Sequence, residues 1–368
     1  MKNKLSVFLF LCFSVSFLNA QNLIEIERVI DSTYSKGIFF GNIIITKNDN
    51  IIFEKSYGYA DAIHHTKLTY KNSFQVASIS KQFTAYGIMM LHNKGLLNYD
   101  SMVVKYLPSF PYNNISIRHL LQHTSGLPNF WDQIRPNLDT TKSNGNKDVL
   151  AYLIAHQMSL QNEPGAKFIY ADIGYDFLAM VIESVSGLSY QDFMQINIFS
   201  PLKMKSTFAY MVTDILRIKN NHLAIGHAFQ NGAFVYAHLQ PKYHFVYYLG
   251  DFYGDGSVVT TARDLAIWTK TLHSCKLLPC DIQNESLVET KYNGQIVNVR
   301  PNSSISYGFG WFIKNTDSGK LAYHTGGHPG NVHAIYRLIN KDINFIFLSN
   351  AETGNLKELR NRIIELLQ

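Results

Sequence analysis

Residues 76–86 read VASISKQFTAY, and the chemistry in them lies in Ser78 and Lys81. Three residues apart, they fall on one face of a helix with their side chains adjacent. A serine hydroxyl is a weak nucleophile until a neighbour takes its proton, and a lysine whose pKa is altered by burial or charge can be that neighbour. A helix start adds free N–H groups and a partial positive charge, both suited to a developing anion. Packing gives no reason for the group, because lysine is costly to bury and serine suits a helix interior poorly. A four-residue pattern with two fixed positions also arises by chance about once in a chain of this size, so the pair needs company before it carries a reaction. Ser80 points elsewhere on the helix and reads as structural.

The elements that must position this pair lie on either side of it. Residues 41–61, GNIIITKNDNIIFEKSYGYAD, read as a hairpin: two runs rich in β-branched and aromatic residues around the turn Asn48, Asp49 and Asn50. Residues 79–96 place Phe83, Tyr86, Met89 and Met90 at helical spacing and end at Lys94-Gly95, a usual helix stop, so Ser78 sits near a helix N-terminus. From about 100 to 250 helical stretches near 147–157 and 174–186 alternate with Pro- and Gly-bearing loops. Residues 261–273 read as a helix, and SYGFGWFI, KLAYHTG, VHAIYRLI and INFIFLSN as four successive strands before a closing helix at 355–367. Strands at both ends of the chain must meet. The expected fold is therefore α/β (α+β), an antiparallel sheet flanked by helices. One catalytic domain over 21–368 would divide into an α/β lobe, about 21–100 and 254–368, and an inserted, mainly helical lobe, about 101–253.

Composition narrows the setting. The chain has 368 residues, 46% hydrophobic and 16% charged, which describes a folded globular protein with room for a large core. The N-terminus, MKNKLSVFLFLCFSVSFLNA, sets Lys2 and Lys4 before an apolar run from Leu5 to Leu18 and a small residue at Ala20. That is the layout of a secretory signal over residues 1–20; the run is shorter than the roughly 20 apolar residues that span a bilayer. A lipidated Cys12 is a weaker alternative, since Leu11 precedes it where a small residue is preferred. The expected location is periplasmic or secreted, without stable membrane insertion once the signal is gone. Cys275 and Cys280 then remain as an even pair in an oxidising compartment, where a disulfide closing CKLLPC is expected. Metal ligation is the rival, with no further cysteine to complete a thiolate site. The formal charge is +6, two units of it from Lys2 and Lys4, and no basic run stands out, so nucleic acid is not an expected partner.

FQVASISKQFTA, ISIRHLLQHTSGLP, EPGAKFIYADIGY, GDGSVVTTARDLAIW, YGFGW and HTGGHPG follow one another in that order. Together they resemble the serine β-lactamase and penicillin-binding-protein superfamily, in particular its class C-like branch of β-lactamases, D-aminopeptidases and esterases. The resemblance runs from about residue 35 to 350, and S-x-x-K paired with a K-T-G is a known signature of related enzymes. It implies that Ser78 is the acylated nucleophile, Lys81 its proton-managing partner and Tyr170 the tyrosine of a Y-x-N motif. His324, Thr325 and Gly326 fall where many members have K-T-G. The oxyanion hole would be the backbone N–H groups of Ser78 and Gly327, two fixed donors aimed at the developing charge. No cofactor is implied, and the partner is a small-molecule or peptide substrate.

Bland readings stand beside these roles. Tyr170 by itself is also an ordinary half-buried aromatic. His324 and His328 could form a metal pair at i, i+4, but Gly326-Gly327 between them argues against the helix this spacing needs. His123 and Thr124 read as braces of a loop. One departure from the family pattern matters more: Tyr170-Ala171-Asp172 stands where Tyr-x-Asn is usual. An ionised aspartate only accepts hydrogen bonds, so it lacks the N–H that would hold a substrate amide carbonyl. Near Lys81 it would also favour the ammonium, leaving Tyr170 as the better base. The expected function is a serine hydrolase working through an acyl-enzyme on esters, D-amino-acid peptides or amides, or β-lactams. The alternative is a penicillin-recognising or peptidoglycan-sensing protein that binds or acylates without turnover.

Overall fold

The computed structural model describes residues 21–210 and 222–368; the expected signal, residues 1–20, lies outside the described residues. The principal elements are helix α1 (21–35), strands β1 (Gly41–Lys47) and β2 (Asn50–Tyr57), and helices α2 (Lys81–Asn93), α3 (Asp172–Ser186) and α4 (Ala262–Ser274). After them come strands β3 (Ile305–Tyr307), β4 (Phe312–Thr316), β5 (Gly319–His328), β6 (Asn331–Leu338) and β7 (Ile343–Ser349), and helix α5 (Leu356–Leu367). The strands form one seven-stranded sheet in the order β3-β4-β5-β6-β7-β1-β2, every neighbouring pair antiparallel.

The two ends of the chain meet at the β1–β7 pair, where Ile44 faces Ile346. Both strands are buried almost throughout, as continuous apolar runs must be when both faces of a sheet are covered. Side chains alternate between the faces. Ile43, Ile45, Phe345 and Phe347 pack with Ile26 and Ile30 of α1 and Leu359 and Ile363 of α5. Ile44, Ile346 and Ile335 turn the other way, into the larger core that holds Phe83 of α2 and Trp268 of α4. The hairpin turn rests on Asn48 and Asp49, both at positive φ (47° and 61°), residue types that tolerate the left-handed region a two-residue hairpin demands.

One sequence expectation needs correction. SYGFGWFI is not one strand: β3 stops at Tyr307 and β4 starts at Phe312. The break is set by glycines, since a Cβ on Gly308 would lie 2.1 Å from the Ser286 carbonyl oxygen, and Gly310 has φ +78° with its Cβ position 2.9 Å from Gln82 Cα. The stretch 101–253 also carries more than helices: His227–Gln230 and Ala233–Tyr236 form a hairpin that pairs with Ala351–Glu352. Helix α1 has no counterpart among the expected elements. Among the described residues no helix is long and apolar enough to cross a membrane.

Helix α4 begins at Thr261, whose side chain accepts from the Asp264 N–H, and ends at Cys275 in the left-handed conformation. Cys275 is bonded to Cys280, with Cα atoms 5.2 Å apart. The closed loop is short, so the restriction it places on the unfolded chain is worth about 2 kcal/mol. Replacing both cysteines by serine should lower the unfolding free energy by about that amount in denaturant titration, while covalent labelling at the candidate site is retained.

Candidate active site

Ser78 lies in a single 3₁₀ turn, Ala77–Ser80, and Lys81 is the first residue of α2. The spacing still brings them together: Lys81 Nζ donates to Ser78 Oγ at 3.1 Å. The turn is tied to the segment 254–260 from both directions. Val76 N–H donates to the Val258 carbonyl at 3.0 Å, and Val258 N–H donates to Ser80 Oγ at 3.0 Å. Ser80 thus fixes the turn and does not face Lys81. On the other side comes β5. Its pairing with β4 ends at Tyr323, so the edge from His324 to His328 has no strand beside it there, and this stretch passes the Ser78 turn. A Cβ on Gly326 would sit 2.2 Å from the Val76 carbonyl oxygen and 3.4 Å from Ser78 N, whereas nothing lies within 4 Å of that position at Gly327. Only a residue without a side chain permits this approach at Gly326.

Lys81 is completely buried, and each of its three hydrogens has an acceptor. Besides Ser78 these are Asp172 Oδ1 at 2.8 Å and the Asp255 carbonyl oxygen at 3.1 Å; Asp255 Oδ2 stands 3.7 Å away. Burial alone would depress the ammonium. Asp172, Tyr170 and Asp255 outweigh it and hold the Lys81 pKa well above the ordinary range. Asp172, the first residue of α3, is also pushed towards its neutral form by burial, but the charge of Lys81 keeps it below the usual carboxylate range. Its second oxygen accepts from Trp131 Nε1 at 3.3 Å. Both oxygens of Asp172 are therefore committed to protein donors.

Tyr170 stacks on the other members of the site. Its ring centre lies 5.0 Å from Lys81 Nζ and 4.2 Å from the His123 ring. The residue as a whole is 36% exposed, but its hydroxyl end is desolvated, and this burial, with the Asp172 charge, outweighs the opposing influence of Lys81 and Ser78 and leaves its pKa pushed up to about 12. His123 does more than brace a loop: its Nδ1 accepts from Ala171 N–H at 3.1 Å, so its proton is on Nε2, and it anchors the backbone beside Tyr170. Burial and nearby Lys81 hold it neutral. His324 is 1% exposed, with Nδ1 donating to the Thr325 carbonyl at 2.7 Å and Nε2 accepting from the Tyr307 hydroxyl at 3.0 Å. Burial, then Lys81, depress its pKa to about 3. It is a neutral support behind the strand. Thr325 is half-buried on β5.

A cavity of about 410 Å³ opens over this group. Ser78 and Gly327 lie on its wall, with Asp172, Asp176 and Asp255 beside them and an apolar side made by Phe130, Trp131, Phe245 and Phe252. Neither Asp176 nor Asp255 stood out in the sequence as a site residue. Asp172 and Asp176 are four apart on one helix, a like-charge spacing that stabilises nothing by itself and so was the available signal. Trp131 offered none. Among the described residues no group of three or more His, Cys, Asp or Glu side chains is arranged to hold a metal ion.

The sheet with its flanking helices and the Ser-x-x-Lys turn define the class as a β-lactamase-like fold, and comparison with known proteins agrees. The chain belongs to the Beta-lactamase family, whose model matches residues 30–368. It is 32% identical to penicillin-binding protein 4* of Bacillus subtilis over 333 residues, covering 89% of this chain and 72% of that protein. Among solved structures, the octameric penicillin-binding protein homologue from Pyrococcus abyssi superposes with a TM-score of 0.78 at 23% identity, covering 94% of this chain and 77% of that one. A D-amino acid amidase from Ochrobactrum anthropi SV3, complexed with D-phenylalanine, gives 0.74 at 21% identity, covering 94% and 99%. At these identities the structural matches speak for the fold.

The contrast between the two glycines is testable. Gly326→Ala should force β5 away from the Ser78 turn and reduce acylation by roughly a hundredfold or more, as a displacement of about 1 Å at a reacting centre does. Gly327→Ala meets open space and should leave the melting temperature unchanged. Equal behaviour of the two variants in labelling rate and thermal melt would contradict the close approach.

Proposed function

We propose that the protein is a serine hydrolase that works through an acyl-enzyme on Ser78. The observation that carries this reading is the 3.1 Å contact between Lys81 Nζ and Ser78 Oγ on the wall of a cavity that also holds Gly327. In this reading Ser78 Oγ attacks the acyl carbonyl carbon, and the backbone N–H groups of Ser78 and Gly327 receive the oxyanion. Lys81 has no vacant lone pair, so the Ser78 proton passes to Tyr170 as phenolate, which the ammonium stabilises. Tyr170 then returns the proton to the leaving group and activates the water that releases the acid. The resting tyrosine is neutral, so the rate should rise with pH.

The substrates we infer are esters and amides, D-amino-acid derivatives included, with an apolar acyl side chain that fits the wall of Phe130, Trp131, Phe245 and Phe252. β-Lactams follow. They carry a carboxylate and commonly a side-chain amide, whereas here the histidine in the K-T-G position is neutral and both oxygens of Asp172 are engaged. The absence of a ready base at neutral pH favours a second reading, a protein that is acylated but turns over slowly or not at all. The deduced setting is export to the periplasm or beyond.

A fluorophosphonate or fluorescent penicillin followed by intact mass spectrometry separates these readings: a transient adduct marks a hydrolase and a permanent one an acylated sensor. Ser78→Ala should abolish the adduct. Ser80→Ala should keep most of it while losing about 1 kcal/mol of stability from the unpaired Val258 N–H. An adduct that survives in Ser78→Ala removes Ser78 from the reaction.

Asp172→Asn tests the charge on Lys81. The carboxylate raises both Lys81 and Tyr170, so its removal lowers both pKa values. Any limb of the rate profile that rises as either group loses its proton should move to lower pH. The amide N–H should also raise turnover of amide-bearing β-lactams relative to small esters, roughly tenfold. An unchanged profile and ratio would place Asp172 outside the reaction.

A further inference from the structure

Two further carboxyl groups, Asp176 and Asp255, line the cavity, and Lys81 reaches the side chain of Asp255 alone, at 3.7 Å. Asp176 is 2% exposed, lines the cavity, and its Oδ1 finds no donor among the described residues. Asp255 lines the same cavity, and its nearby carboxyl, after burial, pushes Asp176 up. Both are held in place by backbone contacts: Asn146 Nδ2 donates to the Asp176 carbonyl at 3.0 Å, and the Asp255 carbonyl accepts from Lys81. Lys81 is nearest in charge, 3.7 Å from Asp255 Oδ2, but its three hydrogens are already given to Ser78, Asp172 and the Asp255 carbonyl. The other titratable groups that face the pair are Asp172, Tyr190, Tyr210 and Tyr253. The tyrosines are raised by burial and stay neutral.

We propose that the Asp176–Asp255 carboxyl pair is the receptor for an ammonium group on the acyl donor, seated at the floor of the cavity with Trp131 and Phe245 on the wall beside it. This rests on the reading of the cavity as the acyl-donor site and names a substrate class for it: acyl groups that carry a free amine as well as an apolar side chain. Two neighbouring buried carboxyls cannot both be ionised cheaply, so in the free protein the pair holds one proton. Burial and then Asp255 raise Asp176 well above the ordinary range, which is the same statement in energetic form. An ammonium can take that proton's place. It donates N–H bonds to both carboxylates, the displaced proton goes to solvent, and the cation gains from the aromatic faces nearby. Asp172 is the poorer receptor because Lys81 and Trp131 already occupy it. Lys81 Nζ lies 3.1 Å from Ser78 Oγ and 3.7 Å from Asp255 Oδ2, so the pair and the candidate nucleophile border the same cation.

Two probes without a scissile bond test this separately from the chemistry at Ser78: phenethylamine and its neutral counterpart 2-phenylethanol, titrated into the whole protein by calorimetry in buffers of different ionisation enthalpy. The amine should bind roughly tenfold or more tightly than the alcohol, the size of effect expected for charge-assisted hydrogen bonds, with release of close to one proton. Asp176→Asn should abolish the proton release, because the amide now supplies the bridging hydrogen. In the double variant Asp176→Asn with Asp255→Asn the preference for the amine should disappear while the alcohol still binds, which shows that the cavity is intact. Equal binding of the two probes, no binding of the amine, amine binding without proton release, or a preference that survives the double variant each overturns the proposal. If the double variant does not fold, the loss of proton release in Asp176→Asn decides. A failure of Ser78 labelling would leave these binding results unchanged, so the two readings fail separately.

Discussion

An ammonium with no exposure to water must have every hydrogen accepted, and this condition organises the molecule around Lys81. Leaving such a charge unpaired in the interior costs several kcal/mol, so the three acceptors are not optional. They come from three separate parts of the chain: Ser78 from the turn before α2, Asp172 from the start of α3, and the Asp255 carbonyl from the loop that leads to α4. Docking the helical stretch against the sheet lobe is therefore also what completes the coordination of Lys81. The fold and the site are one arrangement, because the contact that places Ser78 is also one of those that make burial of the lysine tolerable.

The same condition determines the electrostatics of everything nearby. With the ammonium fixed, the remaining polar groups can be neutral or negative but not positive: His123 and His324 are both held neutral, each by burial first and by Lys81 second. In the resemblance to K-T-G enzymes a second lysine would stand at His324. Its replacement removes the cation that would attract a carboxylate, while Asp172 and the Asp176–Asp255 pair add negative charge on the opposite side. On the reading proposed above, a site balanced this way disfavours anionic acyl donors, and discrimination would arise as much from the charge that is missing as from the charge that is present.

Much of this was legible in the sequence, for reasons that differ from residue to residue. The Ser78–Lys81 pair showed because both lie on one local element, where spacing alone dictates adjacency. Strands β1, β6 and β7 showed because strands covered on both faces are written as apolar runs, whereas the exposed edge strand β2 showed through its β-branched and aromatic residues and the turn before it. Asp255 did not show, since a carboxylate between two glycines reads as a turn until it is known that Lys81, 174 residues away in sequence, reaches its carbonyl. Asp176 was equally silent: its position on α3 is visible, but not what the helix faces. His123 was placed in a loop rightly. Its contact with Tyr170 depends on the left-handed backbone at His123, φ +54°, which brings the ring round and which no pattern of polarity reveals.

The turn that carries Ser78 shows how the scaffold holds a conformation the local sequence would not choose. Ala77 has φ +47°, a region that costs a residue with a Cβ about 1 kcal/mol or more. Nothing in VASISK selects it; glycine would be the natural choice. The conformation is imposed from outside. Val76 is held on one side by the Val258 carbonyl, Ser80 Oγ by the Val258 N–H, and the Val76 carbonyl is pressed by the backbone of Gly326, where no side chain fits. With both ends clamped, the residue between them has little freedom left, and the positive φ turns the chain so that Ser78 meets both Lys81 and the cavity. A turn made from glycine would reach the same shape but would relax more readily, because glycine gains the most conformational freedom when a constraint is loosened. Alanine in a clamped left-handed turn instead stores its strain beside Ser78, so the rigidity of the turn is supplied by β5 and the 254–260 segment, not by the turn itself.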